Sequence, residues 1–438
     1  MQAESFKPNN NILSLNRSKI GRQNLDNRDN VDTHNLLVFE LGYTGHYPSY
    51  IRHLAQYWCE KELPGKLDII VSPKFLQYHA DVVDIAASCI ARNLNFVPIT
   101  PDEEASLIPR NSSIHRAFRS LQEWTLLCKY ATLLNATQCL LLYFDSFQTA
   151  LLLGTRLPCP FSGIYFRPTF HYSSFTHYLP SFKERLQHWR EKFILPKILR
   201  HPQMQNLFCL DPFAVKHIEQ FLSKAKIVHL PDPVQVDYVP VDQQEKFKER
   251  LGIEPSRKIF LLFGSLYDRR KGLEQLIEAI STIPPFLCQK LCLLLVGQLG
   301  VSETSLIKVR IAEISQSLPV QIIVCDEFVS DREVHLCFHS SDVILAPYQH
   351  HIGMSGILVQ AAAAQKPILS SDYGLMGEIT RRWQLGLTVD STEPSEIAKG
   401  LIQFLLQSPQ EFGNRARMKA FAEQNSVERF ANTIFQYA

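Results

Sequence analysis

Three consecutive cations, Arg269, Arg270 and Lys271, stand where an apolar run gives way to a helical pattern. The apolar run ends at Gly264, and the helical pattern begins at Leu273. Helix N-termini present unpaired N–H groups and a partial positive charge, which suit an anion, whereas cations alone would oppose the helix dipole. The arrangement therefore predicts a phosphate-binding site with Lys271 as its main cation. The alternative is a solvated helix N-terminus, and one of the two arginines can belong to the surface alone.

A second segment further along the chain repeats the order of strand, loop and helix. An apolar strand pattern at 343–346 is followed by the loop Gly353-Met354-Ser355-Gly356 and then by a helical pattern. Because this loop lies at the start of a helix, the amides of Met354, Ser355 and Gly356 can cradle a phosphate. Together the two segments predict a site for a nucleotide-diphosphate compound. A tight turn before a core helix is the alternative explanation of the loop.

The elements that must position these loops recur along the chain as short apolar runs between longer helical patterns. In the first half the runs are 36–41, 67–72, 94–99, 138–144, 162–166, 206–210 and 226–230. After a stretch rich in Pro and Asp they are 259–263, 291–296, 320–324, 343–346, 368–370 and 387–389. Runs without polar alternation, separated by helices, indicate parallel sheets covered on both faces. Two such series predict two doubly wound α/β domains, whose ligands bind at the carboxyl ends of the strands, in the cleft between the domains.

The ordered motifs of the second series are Gly264, Arg270-Lys271-Gly272, Gly353 to Gly356, Ala361 to Pro367, Ser370 to Gly374 and Glu378. They resemble the C-terminal half of a GT-B glycosyltransferase, of the type found in the retaining nucleotide-sugar enzymes of glycosyltransferase family 4. The resemblance covers 258–388 well and the remainder by architecture. It implies the GT-B fold, in which two Rossmann-like domains with parallel sheets face each other across a cleft. The implied parts are an acceptor domain (35–235), a donor-binding domain (236–408) and C-terminal helices that cross back to the first domain (409–438). The Asn-rich composition of residues 1–34 predicts a disordered tail ahead of them.

The resemblance also implies roles for residues of the donor domain. In the family, a lysine just before a glycine contacts the donor diphosphate, which gives Lys271 a catalytic role assisted by Arg269 or Arg270 beside Gly264. A cation is needed there because the leaving diphosphate gains negative charge as the glycosidic bond breaks. Glu378 matches an acidic residue that follows a glycine turn in the family, and capping of the next helix is its alternative role.

Two positions depart from the paired-glutamate motif of that family. Alignment of 359–361 with the usual leucine-glutamate-alanine puts Gly353 at the first glutamate, which contacts the donor sugar, and Gln360 at the second, which holds the ribose hydroxyls. Gln360 can still bond those hydroxyls as donor and acceptor, whereas Gly353 supplies no carboxylate. Ser265 likewise replaces the arginine that often follows the glycine at Gly264.

Candidate residues of the first domain follow two of its predicted strands. Gly45 and His46 lie in the turn after the strand 36–41, which in GT-B enzymes commonly approaches the donor phosphate or the acceptor. His46 titrates nearest neutral pH, so it is a candidate to position or deprotonate an acceptor hydroxyl, with a hydrogen bond inside the turn as the alternative. Asp145 ends the strand 138–144 and is a candidate to hold an acceptor hydroxyl, or an ordinary helix N-cap.

The composition is that of an ordinary folded protein of 438 residues, with 45% hydrophobic and 20% charged residues. A net charge of +2 gives no reason to expect nucleic acid as a partner. The ten cysteines are scattered and mostly lie in apolar runs, so reduced structural thiols and a cytoplasmic location are expected. Neither an Asp-x-Asp signature nor a His/Cys cluster with ligand spacing is present, so we expect no metal and no cofactor beyond the nucleotide-sugar substrate.

Two features bear on membranes. The tail 1–34 is rich in Asn without an apolar signal core, and no run approaches the ~18–20 apolar residues that span a bilayer. In the segment 182–193, apolar residues repeat at helical spacing with Lys and Arg between them; they are Phe182, Leu186, Trp189 and Phe193. Such a helix either lies on an anionic membrane, where lipid-linked acceptors reside, or packs on its own domain.

The sequence therefore predicts a glycosyltransferase that moves a sugar from a nucleotide-diphosphate donor to an unidentified hydroxyl, with retention. The acceptor is expected to be a saccharide or a lipid-linked compound. Two alternatives stay open. One is an inverting transferase or an epimerase of the same fold, with His46 as the base. The other is a non-catalytic GT-B-like protein that binds a nucleotide sugar or a partner without turnover.

Overall fold

A computed structural model describes residues 34–175, 178–221, 223–235, 238–300, 304–327 and 329–437. The predicted disordered tail lies outside these residues, except for His34. Within them the chain forms two parallel sheets, one after the other along the sequence. The predicted strands and the observed ones agree to within a few residues throughout both series.

The first sheet has seven strands in the order β3-β2-β1-β4-β5-β6-β7, and all its neighbours are parallel. The strands are β1 (Asn35–Phe39), β2 (Lys66–Val71), β3 (Leu94–Pro98), β4 (Gln138–Leu141), β5 (Phe161–Tyr165), β6 (Met204–Cys209) and β7 (Lys226–His229). The chain runs outward from β1 to β3 and then returns to β4 on the other side of β1. The carboxyl ends of β1 and β4 therefore flank the topological switch point, where doubly wound sheets bind ligands.

The second sheet has six parallel strands in the order β10-β9-β8-β11-β12-β13. They are β8 (Lys258–Phe263), β9 (Leu291–Val296), β10 (Gln321–Cys325), β11 (Val343–Ala346), β12 (Ile368–Ser371) and β13 (Gly386–Val389). Here the order reverses between β8 and β11, so the loops after these two strands flank the second switch point.

Helices connect the strands and cover both faces of each sheet. With the first sheet lie α1 (Tyr47–Glu60), α2 (Pro73–Tyr78), α3 (Ala80–Ser88), α4 (Pro101–Ser106), α5 (Ser113–Leu133), α6 (Gln148–Leu152), α7 (Phe182–Leu199) and α8 (Ala214–Glu219). The second series comprises α9 (Val241–Arg250), α10 (Leu273–Ser281), α11 (Pro285–Cys288), α12 (Thr304–Ser317), α13 (Asp331–Ser340), α14 (Gly356–Ala363), α15 (Gly374–Arg382), α16 (Pro394–Leu406), α17 (Arg415–Gln424) and α18 (Val427–Tyr437). Short 3-10 helices occupy Phe144–Phe147, Tyr172–Ser174, Arg269–Lys271 and Pro409–Glu411.

The central strands are apolar on both sides because both faces of each sheet are buried. On β1, Leu37 and Phe39 pack into one core while Leu36 and Val38 pack into the core on the opposite face. This is the physical reason why the sequence shows continuous apolar runs instead of alternation. The second sheet divides its strand residues between two cores in the same way.

Two connections join the domains. Tyr172, Phe175 and Tyr178, from the segment after β5, pack into a core of the second domain. At the C-terminus, α17 packs against α14, whereas α18 packs against α1 of the first domain. The ring of Phe430 on α18 is fully buried, with its centroid 5.0 Å from that of Tyr50 on α1.

Two expectations from the sequence need correction. Cys59 and Cys89 are joined in a disulfide, because α1 and α3 pack together and bring the two Cα atoms to 5.1 Å, within bridging distance. The expectation of reduced thiols is therefore wrong for this pair. The strand predicted over 138–144 ends at Leu141, because the chain turns into a 3-10 helix from Phe144.

Among the described residues, no helix is both long and apolar enough to cross a bilayer.

Candidate functional site

Lys271 lies at the carboxyl end of β8, beside the switch point of the second sheet. Its Nζ donates to the carbonyl oxygen of Phe263 at 3.3 Å and to the hydroxyl of Tyr348, which follows β11. The ammonium also lies 4.2 Å from the centroid of the Tyr348 ring. Gly264 has a φ of +114°, and a Cβ there would lie 2.8 Å from Nζ of Lys271. A glycine at the end of β8 thus leaves the room that the ammonium occupies.

The guanidinium of Arg270 is held from two sides. Nη2 and Nε donate to Oδ2 of Asp268 at 2.9 and 3.2 Å, and Nη1 lies 3.1 Å from Nδ1 of His351. Since the arginine can only donate, Nδ1 of His351 accepts, and the ring proton is on Nε2, which lies 3.4 Å from the carbonyl oxygen of Met354. Burial, followed by the charge of Arg270, lowers the pKa of His351 to about 3, so the ring is neutral at physiological pH.

The loops after β8 and β11 contact each other, because these strands are neighbours in the sheet. The amide of Gln349 donates to the carbonyl oxygen of Arg270 at 2.7 Å. Gly272 has a φ of +72°, and a Cβ there would lie 2.1 Å from the carbonyl oxygen of Pro347. The two segments singled out from the sequence therefore form one surface, with Arg270 and Lys271 next to the loop that leads into α14.

Gly353 in that loop makes its contacts across the cleft. Its φ is +92°, its amide donates to the Tyr172 hydroxyl at 3.0 Å, and a Cβ there would lie 2.8 Å from the carbonyl oxygen of Phe166. A side chain does not fit this backbone without movement, which accounts for glycine where the family resemblance implies a glutamate. Met354 and Ser355 follow, half-buried, and Gly356 begins α14.

Gly45 and His46 follow β1 at the switch point of the first sheet. Gly45 has a φ of +73°, and His46 precedes α1 as its N-cap residue without a side-chain capping bond. One face of the exposed His46 ring stacks on Phe166, with the ring centroids 4.7 Å apart. Desolvation by the surrounding rings and the charge of Arg167 lower the pKa of His46 to about 4. The lowered pKa leaves His46 neutral at pH 7.

Asp145 follows β4 on the other side of the same switch point. Its carboxylate accepts from the amides of Phe166 at 2.9 Å and Arg167 at 3.2 Å, so it fixes the end of β5 instead of capping the next helix. Burial is the main cause that raises its pKa to about 7. Asp145 also lines an open cavity, together with Arg190 and Glu191 of α7.

Gln360, Glu378 and Arg269 are the remaining candidates. Gln360 lines a smaller surface depression, together with residues of α13. Glu378 is buried within α15, where it pairs with Arg382 at 2.5 Å and Arg381 at 3.4 Å, and it is not an N-cap because the helix begins at Gly374. Arg269 is exposed in its 3-10 helix.

Sequence reasoning missed the residues that hold the cations, namely Asp268, Tyr348 and His351. Asp268 has a local signal, since an aspartate before three cations can cap their turn, and its side chain does accept from the amide of Arg270 at 3.0 Å. The other two lie about eighty residues away in the chain, and only the pairing of β8 with β11 brings them near. Among the described residues, no group of three or more His, Cys, Asp or Glu side chains is arranged to hold a metal ion.

Comparison with known proteins finds a family match in the region that contains the cations and the loop before α14. Residues 243–425 match the family described as Glycosyl transferases group 1. An uncharacterized glycosyltransferase of Methanocaldococcus jannaschii is 24% identical over 239 residues, which cover 54% of this chain and 57% of the relative. The chain therefore aligns with little more than half the length of that curated relative.

Solved structures extend the likeness to both domains. A glycosyltransferase from Rickettsia africae has a TM-score of 0.62 at 14% identity, covering 92% of this chain and 97% of its own. Sucrose-phosphate synthase from Thermosynechococcus elongatus has a TM-score of 0.63 at 15% identity, covering 92% and 98%. HepE of Anabaena, in complex with UDP-glucose, has a TM-score of 0.62 at 13% identity, covering 92% and 98%. With its two parallel Rossmann-like sheets, this chain has the GT-B fold.

Proposed function

We propose that this GT-B chain, whose residues 243–425 match the group 1 glycosyltransferases, transfers a sugar from a nucleotide-diphosphate donor to a hydroxyl acceptor. The observation that carries the proposal is the pair of cations after β8, Arg270 and Lys271, held beside the loop that leads into α14. Both loops lie at the switch point of the sheet, where this architecture binds ligands. The family match over 243–425 and the two cations both lie in the second domain.

The cations explain how such a site favours the reaction. As the bond between sugar and diphosphate breaks, negative charge grows on the leaving oxygen, and fixed positive groups stabilise it more in the transition state than in the ground state. Lys271 is half-buried and already oriented by Tyr348, so little reorganisation is needed when the diphosphate arrives. The N-terminus of α14 adds its partial positive charge nearby.

Several details of the proposal rest on likeness and motif order. The complexes of HepE with UDP and with UDP-glucose make UDP the first donor nucleotide to test. Retention and membership of family 4 rest on the ordered motifs of 258–388. We place the acceptor on the first domain, where neutral His46 is available to accept a hydrogen bond from the reacting hydroxyl.

A thermal-shift panel with UDP, GDP, ADP, CDP and dTDP tests the donor site. At 100 times its dissociation constant, a ligand stabilises the folded state by about 2.7 kcal/mol, so one nucleotide diphosphate should raise the melting temperature clearly. Lys271→Ala should weaken its binding by ~1.5–3 kcal/mol, the scale of a charged hydrogen bond. Lys419→Ala, an exposed lysine on α17, is the matched control and should bind as the wild type does. Equal affinity of a folded Lys271→Ala variant would remove this lysine from the site.

One observation favours a second candidate, a protein that binds a nucleotide sugar without turnover. Gly353 supplies no carboxylate at the donor-sugar position, and its backbone leaves no room for one. To distinguish transfer from binding alone, the protein is incubated with the nucleotide sugar that it binds and with mixtures of acceptors. The nucleotide diphosphate that is released is then measured. Tight binding without release in any mixture would favour the non-catalytic candidate. If transfer occurs, the anomeric configuration of the product distinguishes retention from inversion with His46 as the base.

A further inference from the structure

Helix α7 carries a row of large apolar side chains that face solvent. Phe182 is 84% exposed, Leu186 58%, Trp189 66% and Phe193 55%. They repeat every three or four residues and therefore lie on one side of the helix. Leu179, just before the helix, is 90% exposed. We call these five residues the α7 stripe.

The rest of the helix is well anchored, so the stripe is not the result of a loosely attached segment. Ser181 and Glu184 form a capping box at its start, with the amide of Ser181 donating to the Glu184 carboxylate at 2.7 Å. Further along, Leu195, Ile198 and Leu199 are buried in the core of the first domain. The helix thus packs on its own domain through one face and leaves the α7 stripe uncovered, an arrangement that marks an interaction surface.

The charges around the stripe select one kind of partner. The two acids of the helix are turned inward, since Glu184 bonds Ser181 and Tyr373 while Glu191 accepts from the amide and hydroxyl of Thr169. The exposed charged side chains of the helix are all cations, namely Lys183, Arg185, Arg190, Lys192 and Lys197. At 3.6 residues per turn, Arg185 and Lys192 flank one side of the stripe and Lys183 and Arg190 the other.

We propose that the α7 stripe docks this protein on an anionic lipid bilayer, with its apolar rings in the interface and the flanking cations at the lipid headgroups. An exposed Trp and Phe face bordered by Lys and Arg is the composition that binds such interfaces. Pairing of two copies through this face is disfavoured, because a symmetric contact would bring the cations of one helix against those of the other.

The same helix contributes to the cavity at the switch point of the first sheet. Gln187, Arg190, Glu191 and Ile194 line this open cavity, and on the helix they lie roughly a third of a turn from the stripe. Docking through the stripe would hold the cavity close to the headgroup layer. If the chain is a glycosyltransferase, as proposed above, the acceptor is then a hydroxylated compound presented at a membrane surface.

Co-sedimentation of the full chain with vesicles tests the docking. We expect binding to vesicles of phosphatidylcholine with phosphatidylglycerol, weak binding to phosphatidylcholine alone, and loss of binding at high salt. Leu186→Ser/Trp189→Ser should bind about tenfold more weakly, and Lys183→Gln/Lys192→Gln should lose a similar factor. The matched control is Phe286→Ser, which removes a side chain 64% exposed in the other domain and should bind as the wild type does.

Tryptophan fluorescence provides a second readout at the stripe itself. Trp58 and Trp124 are buried and Trp383 is half-buried, so a blue shift on adding anionic vesicles would come from Trp189. Trp189→Phe should still sediment with the vesicles but lose the shift. No binding of the wild type to anionic vesicles would overturn the proposal, as would equal binding by the Leu186→Ser/Trp189→Ser variant. A dimer that this variant abolishes, with no vesicle binding, would identify a second copy as the occupant instead.

These measurements use no nucleotide, so they fail or succeed independently of the donor site. A chain that docks on vesicles but binds no nucleotide diphosphate would keep the membrane surface and remove the proposed function. A chain that binds a nucleotide diphosphate but does not bind vesicles would retain the proposed function and overturn the membrane surface.

Discussion

Arg270 illustrates how single residues decide what this site can do. Its guanidinium is aimed by one charged acceptor, Asp268, and by one neutral acceptor, His351, which is itself tied to the loop before α14 through Met354. A histidine kept neutral by burial can accept from arginine, whereas a protonated one would repel it. His351 is therefore a positioning residue that acts through Arg270.

We predict that His351→Leu lowers the affinity for the nucleotide diphosphate by about 1–2 kcal/mol, because a hydrogen bond to a charged group is lost. His351→Gln should restore most of that affinity, since its amide can accept from Arg270 and donate to Met354. Isothermal titration calorimetry of the three proteins measures the effect. Since the pKa of His351 is about 3, the wild type and His351→Gln should have the same pH dependence of binding from pH 5 to 8. Equal affinities for wild type and His351→Leu would contradict the role.

At the scale of elements, the turn between β1 and α1 brings a buried acid to the cleft. Glu40 directly follows β1, and its carboxylate accepts from the amide of Gly42 at 2.7 Å. Burial is the main cause that raises the pKa of Glu40 to about 8, from an ordinary value of 4.5. The carboxyl group is thus largely protonated in the folded protein at neutral pH, where the unfolded chain would ionise it.

This difference predicts a pH dependence of stability. Between pH 4.5 and about 8, Glu40 is protonated in the folded state and ionised in the unfolded state. The contribution of this protonation to stability is therefore complete below the unfolded pKa and is lost as pH rises toward 8. Relative to the wild type, Glu40→Gln should therefore gain stability as pH rises, by at most about 1.4 kcal/mol per pH unit. Urea unfolding at pH 5, 6.5 and 8 measures it. The exposed Glu60→Gln is the control, and parallel curves for wild type and Glu40→Gln would contradict the prediction.

At the scale of the whole molecule, the two domains meet through backbone as well as side chains. Tyr172 of the first domain accepts from the amide of Gly353, and the carbonyl oxygen of Phe166 occupies the side of that glycine where a Cβ would stand. Tyr373 of the second domain bonds Glu184 at the start of α7. The donor-side loop is therefore positioned partly by the other domain.

We predict that Gly353→Ala disturbs this meeting of domains. The new Cβ would lie 2.8 Å from the carbonyl oxygen of Phe166, and the alanine would have to adopt a φ of +92°. Gly154→Ala is a matched control, since its φ is +72° and nothing lies within 4 Å of the new Cβ. Backbone strain costs about 1–2 kcal/mol in both, and the clash should add about 1–3 kcal/mol for Gly353→Ala alone. Urea unfolding and small-angle scattering measure the loss and any opening, and equal losses in the two variants would contradict the prediction.

The features that could be predicted from the amino-acid sequence depend on burial along short stretches of chain. A strand covered on both faces must be apolar at successive positions, so the strands of both sheets, their parallel direction and the two-domain fold could be predicted. The cations before Gly272 and the glycines at 353 and 356 were also visible, because helix starts and tight loops leave local signals. Other features depend on contacts between positions that are distant in the sequence, and these could not be predicted. The acceptors of Arg270 and Lys271, the Cys59–Cys89 disulfide and the uncovered α7 stripe are of this kind. The hydrophobic periodicity of a segment does not predict which distant side chains it will contact after folding, or which apolar face will stay exposed.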